Sequence, residues 1–369
     1  MSILKNQGCN PFIGLRSFDK NESHLFFGRK TPIRDIRDNL KRTNFSAVIG
    51  YSGSGKTSLI KSGLIPALQN TKEEEWKITF CTPGYNTSRN LAKALINTYD
   101  IANNSSKEFL DDVERLLIDK SLSLNETLLK LDKKNTEKCL IIIDQFEEFF
   151  NLSKKEDLKK STQFINLLLD AINNKENNIY IILTLRSDFI GNCAEFIGLP
   201  EVLNKSQYLI PRLNLKQFKE VIIGPLGVVD YKISDNLLDV LIKDIANNQD
   251  QLAILQHAMM RTIEYWKSHS SLDDVIDVHH YKAIGKMKKA LSNHADEAYN
   301  ELNETEKQVC EKMFKALTNF ESLNITRNPV EFGSLVKITG TGSSVLINVI
   351  NTFRSSKRSF LSIKEGVDI

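Results

Sequence analysis

The chain predicts an α/β fold: a parallel sheet with helices on both faces, then a helical domain and a smaller C-terminal module. Three observations predict it. Four short runs, at 45–49, 76–81, 139–143 and 179–185, are apolar almost throughout instead of alternating. Strands of a parallel sheet, buried on both faces, read this way. Helical patterns separate these runs, which is the order of a layered α/β domain. Beyond about Pro200 strand signals nearly vanish and helical periodicity takes over.

The elements follow in order. Residues 1–29 read as a loop-rich lead-in broken by Asn10-Pro11 and Gly14. Thr31 and Pro32 predict a helix over 32–41, with Thr31 as its cap. A strand at 45–49, a loop and a helix to about Gln69 come next. Pro83-Gly84 ends the strand at 76–81. Helices are expected at about 88–99, 106–119, 122–132 and 155–173, on either side of the strand at 139–143. The strand at 179–185 closes the sheet as read from sequence. Later helices are expected at 216–223, 234–247, 249–267, 280–300, 303–318 and 344–352, with a short extended piece at 360–364. The resulting division is 1–43 as lead-in segment and lid, 44–205 as core, 206–300 as helical domain and 301–369 as C-terminal module.

Composition narrows the class. Of 369 residues, 41% are hydrophobic and 26% charged, as in ordinary globular proteins. The net charge of +3 neither demands nor excludes nucleic acid. No apolar stretch approaches the roughly 18 residues needed to cross a bilayer. The N-terminus carries no apolar signal segment, and the five cysteines form no CxxC pair, so a cytoplasmic protein is expected.

Residues 50–57 read Gly50-Tyr51-Ser52-Gly53-Ser54-Gly55-Lys56-Thr57, the G-x-x-x-x-G-K-[ST] pattern of a phosphate-binding loop. A strand signal before it and a helix signal after it supply the required context. Glycines let successive backbone N–H groups point at phosphate oxygens, and the helix adds its positive end. Gly50, Ser52, Gly53, Ser54, Gly55, Lys56, Thr57 and Ser58 are therefore expected to hold a nucleotide. Lys56 would reach the β- and γ-phosphates, and the Thr57 hydroxyl would ligate Mg²⁺. The bland alternative is a glycine-rich surface turn.

Such a loop needs a carboxylate at the tip of a neighbouring strand to complete the Mg²⁺ shell. Asp144 follows Leu140-Ile141-Ile142-Ile143 and fits. Gln145 stands where many ATPases place a glutamate, so a base or water-orienting group must come from Glu147 or Glu148, with Glu147 preferred. Both could instead be solvated carboxylates at a helix start. Arg186, at the end of the strand at 179–185, could touch the γ-phosphate. It could equally pair with Asp188 or Glu195. Phe27, Gly28 and Arg29 could close over the base, or the aromatic pair Phe26-Phe27 could staple the following helix. His257 lies in an apolar helix and reads as a core residue. His279-His280 lacks a second ligand cluster, and the basic stretches at 286–289 and 354–358 read as solvated faces.

Taken in order, several segments resemble the novel-STAND class of prokaryotic signalling NTPases, NACHT-like and AAA-related. They are the runs at 10–18 and 25–29, the phosphate-binding loop, Asp-Gln-Phe-Glu-Glu at 144–148, Thr-Leu-Arg-Ser-Asp-Phe at 184–189, and the stretches at 198–200, 251–260, 290–296 and 358–361. The resemblance implies a P-loop NTPase core, a helical domain and a winged helix, with ATP or ADP and Mg²⁺ between them. It implies self-association on activation, a protein trigger, an effector outside this chain, and a role in antiphage defence or signalling. No membrane or nucleic-acid partner is expected. Ala253 stands where the class carries a base-contacting proline, which shifts that contact to Gly224-Pro225. A His-containing winged-helix motif is absent after Ile369, so the winged helix is expected to be incomplete. Two other functions stay open: a nucleotide-locked scaffold without useful hydrolysis, and a DNA-associated AAA-type ATPase.

Overall fold

The computed structural model describes residues 9–70, 75–84, 86–99, 107–119, 122–131, 137–153, 158–174, 178–246, 252–319, 326–355 and 357–363. They fall into two compact units, one from Ser17 to Gly224 and one joining the stretch up to Arg16 to the chain from Pro225.

The first unit is built on a five-stranded sheet, β1 (Phe45–Gly50), β2 (Trp76–Cys81), β3 (Lys138–Ile143), β4 (Ile179–Arg186) and β5 (Gln207–Leu209). The spatial order is β2-β3-β4-β1-β5, and every pairing is parallel. All six residues of β1 are buried. Alternate side chains feed two separate cores. Phe45, Ala47, Ile49, Ile141, Ile143, Ile181 and Leu183 face one layer, with α4 (Thr87–Thr98), α5 (Lys107–Ile118), α6 (Leu124–Leu131), α7 (Glu147–Ser153), α8 (Leu158–Asn173) and α9 (Leu199–Lys205). Val48, Leu140, Ile142 and Ile182 face the other, against α1 (Lys30–Thr43) and the helix that leaves β1. Each fully buried aliphatic side chain contributes about 1.5–3 kcal/mol. This double burial is why the strands carry no alternation.

The helix after β1 starts as α2 (Lys56–Ser58), passes through a π-helical turn at Leu59–Leu64 and continues as α3 (Ile65–Gln69). Gly63 sits in that turn because a Cβ there would meet Ile33 at 2.8 Å.

Several boundaries differ from the sequence expectation. Helix α1 begins at Lys30, with Arg29 at the N-cap position and its side chain making no bond to the helix end. Thr31 therefore lies inside the helix and is not its cap. Strand β5 falls outside the expectation, because three edge residues that are exposed or half-exposed carry no apolar run.

Helix α10 (Leu215–Val228) crosses the division between units. The second unit continues with α11 (Asp235–Ala246), α12 (Leu252–His269), α13 (Val278–Ala283), α14 (Lys286–Asn300), α15 (Glu304–Ala316), α16 (Phe332–Thr339) and α17 (Ser343–Arg354). The single helix expected at 280–300 is broken by Gly285, whose φ of 84° is costly for other residues. Helix α16 has no counterpart in the sequence expectation, and the extended piece expected at 360–364 has no strand at 360–363. The Asn303 capping box opens α15, where the sequence places a helix start. Two short antiparallel strands, β6 (Thr318–Asn319) and β7 (Thr326–Arg327), lie between α15 and α16. The lead-in motif packs inside this unit: Phe12 is 2% exposed, and the Asn10 amide donates to the Met260 carbonyl at 2.9 Å.

Candidate functional site: a phosphate-binding loop and its acidic partner

The loop joins β1 to α2, at the carboxyl ends of the strands where open α/β sheets bind ligands. Strand β1 lies between β4 and β5, so the loop rises from inside the sheet and not from its edge. Gly53 and Gly55 take φ of 78° and 86°, the left-handed region open to glycine. Gly50 has a separate reason: a Cβ there would stand 2.7 Å from the Ser54 hydroxyl. Gly55 caps α2 without a side-chain bond, which leaves the first N–H groups of the helix for an anion.

Lys56 is 9% exposed, and its ammonium donates to the Gly50 and Tyr51 carbonyls at 2.9 Å each. Burial lowers its pKa, and the charges of Glu147 and Asp144 oppose that shift. Its direct hydrogen-bond partners are neutral carbonyls, so an incoming phosphate would give it a directly bonded anion.

Asp144 is 2% exposed at the end of β3. The Thr57 hydroxyl donates to its Oδ2 at 2.8 Å and lies 3.1 Å from Oδ1. A hydroxyl beside a carboxylate is a hard-oxygen pair of the kind Mg²⁺ accepts, and the donor set fits that ion. The two residues are 87 positions apart in sequence and meet at the carboxyl end of the sheet. Gln145 follows with φ of 58°, a left-handed turn that swings the chain into α7.

Glu147 is the first residue of α7, and its Oε2 accepts the Arg186 backbone N–H at 3.2 Å. Register places Arg186 opposite Gly50, so Glu147 is tethered next to the start of the loop. The Arg186 guanidinium itself turns to Asp188, at 3.1 and 2.6 Å, and lies 5.5 Å from the Phe189 ring centre.

Arg29 is 5% exposed and donates to the Pro211 carbonyl at 2.6 Å and the Ser54 carbonyl at 3.3 Å. It clamps the loop from behind, and burial lowers its pKa. The Phe27 ring packs on the backbone of Gly224, where a Cβ would come within 2.5 Å. Gly28, with φ of 79°, lies against Val221 and the Gln217 carbonyl. Ser58 accepts the Phe18 backbone N–H at 3.1 Å and so fastens the lead-in segment to the loop helix. Ser52 is exposed at the loop crest, and Ser54 is 1% exposed beneath it. Pro225 is an internal residue of α10 and the first residue of the second unit's main stretch.

Sequence reasoning assigns no role to Thr184, which is fully buried and donates its hydroxyl proton to Asp144 at 2.6 Å. The available signal is a threonine set between the aliphatic residues Leu183 and Leu185 of β4.

Residues 11–369 match the family model described as novel STAND NTPase 1. The chain belongs to this family. It is thus a P-loop NTPase of the STAND class, with a nucleotide as its ligand class. Among solved structures it is similar to the Aeropyrum pernix ORC1 protein in complex with DNA. That match has 11% identity and a TM-score of 0.50, covering 90% of this chain and 84% of the other. It is also similar to the Aeropyrum pernix ORC2 protein solved as ADPNP–ADP complexes, at 13% identity and a TM-score of 0.50, covering 89% and 86%. These likenesses establish a shared fold. No curated protein matches the STAND chain. Among its described residues no helix is long and apolar enough to cross a membrane, and none of their His, Cys, Asp or Glu side chains group in threes to hold a metal.

Proposed function

We propose that this STAND NTPase is an ATP-dependent switch with slow Mg²⁺-assisted hydrolysis. The observation that carries the reading is the junction of Thr57 with Asp144 at 2.8 Å, one residue from a desolvated Lys56. Lys56 and the loop backbone would bind the β- and γ-phosphates, and Thr57 with Asp144 would hold the Mg²⁺. The ion would supply charge neutralisation at the phosphates. Glu147, anchored by the Arg186 backbone, would orient the attacking water. Adenine is preferred over guanine because the guanine-reading Asn/Thr-Lys-x-Asp motif is missing from the sequence.

Arg186 would leave Asp188 for the γ-phosphate when ATP arrives. A half-exposed ion pair of this kind is worth no more than about 1 kcal/mol, so a triphosphate can displace it. The exchange would bias two arrangements of the molecule, with self-association in one of them. The region 301–369 would serve as the winged helix, and a trigger and an effector outside this chain would set and read the state. The family resemblance supports a role in antiphage defence, measurable as a loss of protection when Lys56→Ala replaces the wild type in a plaquing assay.

A second reading, a nucleotide-locked scaffold, is favoured by two observations: Gln145 follows Asp144, and the Arg186 guanidinium is already paired. ATPase rates of wild type and Glu147→Gln separate the two. A higher wild-type rate supports the switch, and equal background rates support the scaffold.

A further inference from the structure

We propose that Thr184 is the positioning residue that sets which Asp144 oxygen faces the loop, an inference that rests on reading this site as an Mg²⁺–nucleotide site. Thr184 has 0% exposure near the end of β4, among Ile181, Ile182, Leu183 and Leu185. Burying a hydroxyl is costly unless it is bonded, and valine would fill the same space with better packing. The hydroxyl is therefore retained for what it binds.

Thr184 binds three consecutive residues of the facing turn. Its single hydroxyl proton goes to Asp144 Oδ1 at 2.6 Å. Its hydroxyl oxygen accepts the Gln145 N–H at 2.9 Å. Its carbonyl accepts the Phe146 N–H at 2.8 Å. The Gln145 N–H takes one of the hydroxyl's two lone pairs while the Asp144 carboxylate takes its proton, so two bonds together orient the hydroxyl. Oδ1 is thus occupied from the β4 side, and Oδ2 is left for Thr57 at 2.8 Å. Asp side chains rotate broadly about their outer torsion, and without this bond the Thr57 hydroxyl is the carboxylate's remaining side-chain hydrogen bond among the described residues. When the Thr57 oxygen turns toward a metal, Thr184 stays as the anchor. The same contacts hold the left-handed Gln145, and through it the start of α7 with Glu147. Residues that orient metal ligands commonly matter nearly as much as the ligands.

The test is a fluorescence titration of a labelled ATP analogue with Mg²⁺, in wild type, Thr184→Val and Thr184→Ser. Thr184→Val is expected to raise the Mg²⁺ midpoint about 10- to 100-fold, while affinity in excess EDTA stays at the wild-type value. A purely structural role would weaken both alike. Thr184→Ser, which keeps the hydroxyl, is expected to retain the wild-type midpoint. An unmoved midpoint in Thr184→Val overturns the inference, as does a Thr184→Ser midpoint raised as far as expected for Val, a result that stands even if the Val variant fails to fold. A wild type that binds no ATP analogue at any Mg²⁺ concentration overturns the nucleotide reading itself.

Discussion

At the scale of single residues, the site is a set of charges and donors waiting for a directly bonded anion. Lys56 shows this best, a desolvated ammonium held by two neutral carbonyls. Lys56→Ala removes a charge-assisted contact of about 1.5–3 kcal/mol. Nucleotide affinity, measured by isothermal titration, is expected to fall roughly 10- to 100-fold. Glu147→Gln keeps the side-chain shape and the capacity to accept the Arg186 N–H, but not the basicity. Turnover is expected to fall by about 10²–10⁴ while binding is retained. The loop glycines, Lys56, Thr57 and Asp144 are legible in the sequence because each chemical role demands one residue type at one spacing. The clamp by Arg29 and the anchor by Thr184 are not. Arg29 acts through backbone carbonyls, and Thr184 bonds a carboxylate and a turn distant in sequence, so neither contact leaves a trace in residue spacing.

At the scale of elements, burial decides what a sequence reveals. The three inner long strands are apolar on nearly all positions of both faces, and these and the edge strand β2 stand out within a residue or two of their observed ends. Strand β5 is three residues at a sheet edge, and its Leu209 is 66% exposed, so no pattern marks it. The break between α13 and α14 at Gly285 is hidden because apolar periodicity resumes beyond it. Tight contacts between elements carry their own prediction. Gly28→Ala would place a methyl 2.9 Å from Val221 at a φ of 79°. A cost of about 1–3 kcal/mol is expected, read as a lower denaturant midpoint in chemical unfolding. No loss would show that the lead-in segment is not seated against α10.

At the scale of the whole molecule, the two units are expected to answer to different variables. The second unit buries a histidine pair: His257 Nε2 lies 2.9 Å from His294 Nδ1, with the Phe360 ring beside them. Desolvation pushes His257 down to about 4, with Arg261 adding to it. Desolvation, Arg261, His257 and Arg358 push His294 down to about 3. Glu297 faces Arg261, and Glu301 pairs with Arg358, so those cations are themselves partly balanced. Folded values below the unfolded value near 6.5 mean that the unfolded chain binds the extra protons. The stability due to the neutral pair is complete above about pH 6.5 and is lost as pH falls toward 4. The melting temperature should drop between pH 7 and pH 4.5, and less so in a His257→Asn/His294→Asn variant, at roughly 2–4 °C per kcal/mol. Equal drops would remove the pair as the cause.

The first unit carries the phosphate-binding loop. The central claim, that Thr57 and Asp144 hold Mg²⁺ against a triphosphate bound by Lys56, is tested most directly by ATP affinity with and without Mg²⁺ in wild type and Asp144→Asn. The account predicts that Mg²⁺ tightens ATP binding to the wild type, and that Asp144→Asn loses most of this gain while binding ATP in EDTA as before. An undiminished Mg²⁺ effect in Asp144→Asn would contradict it.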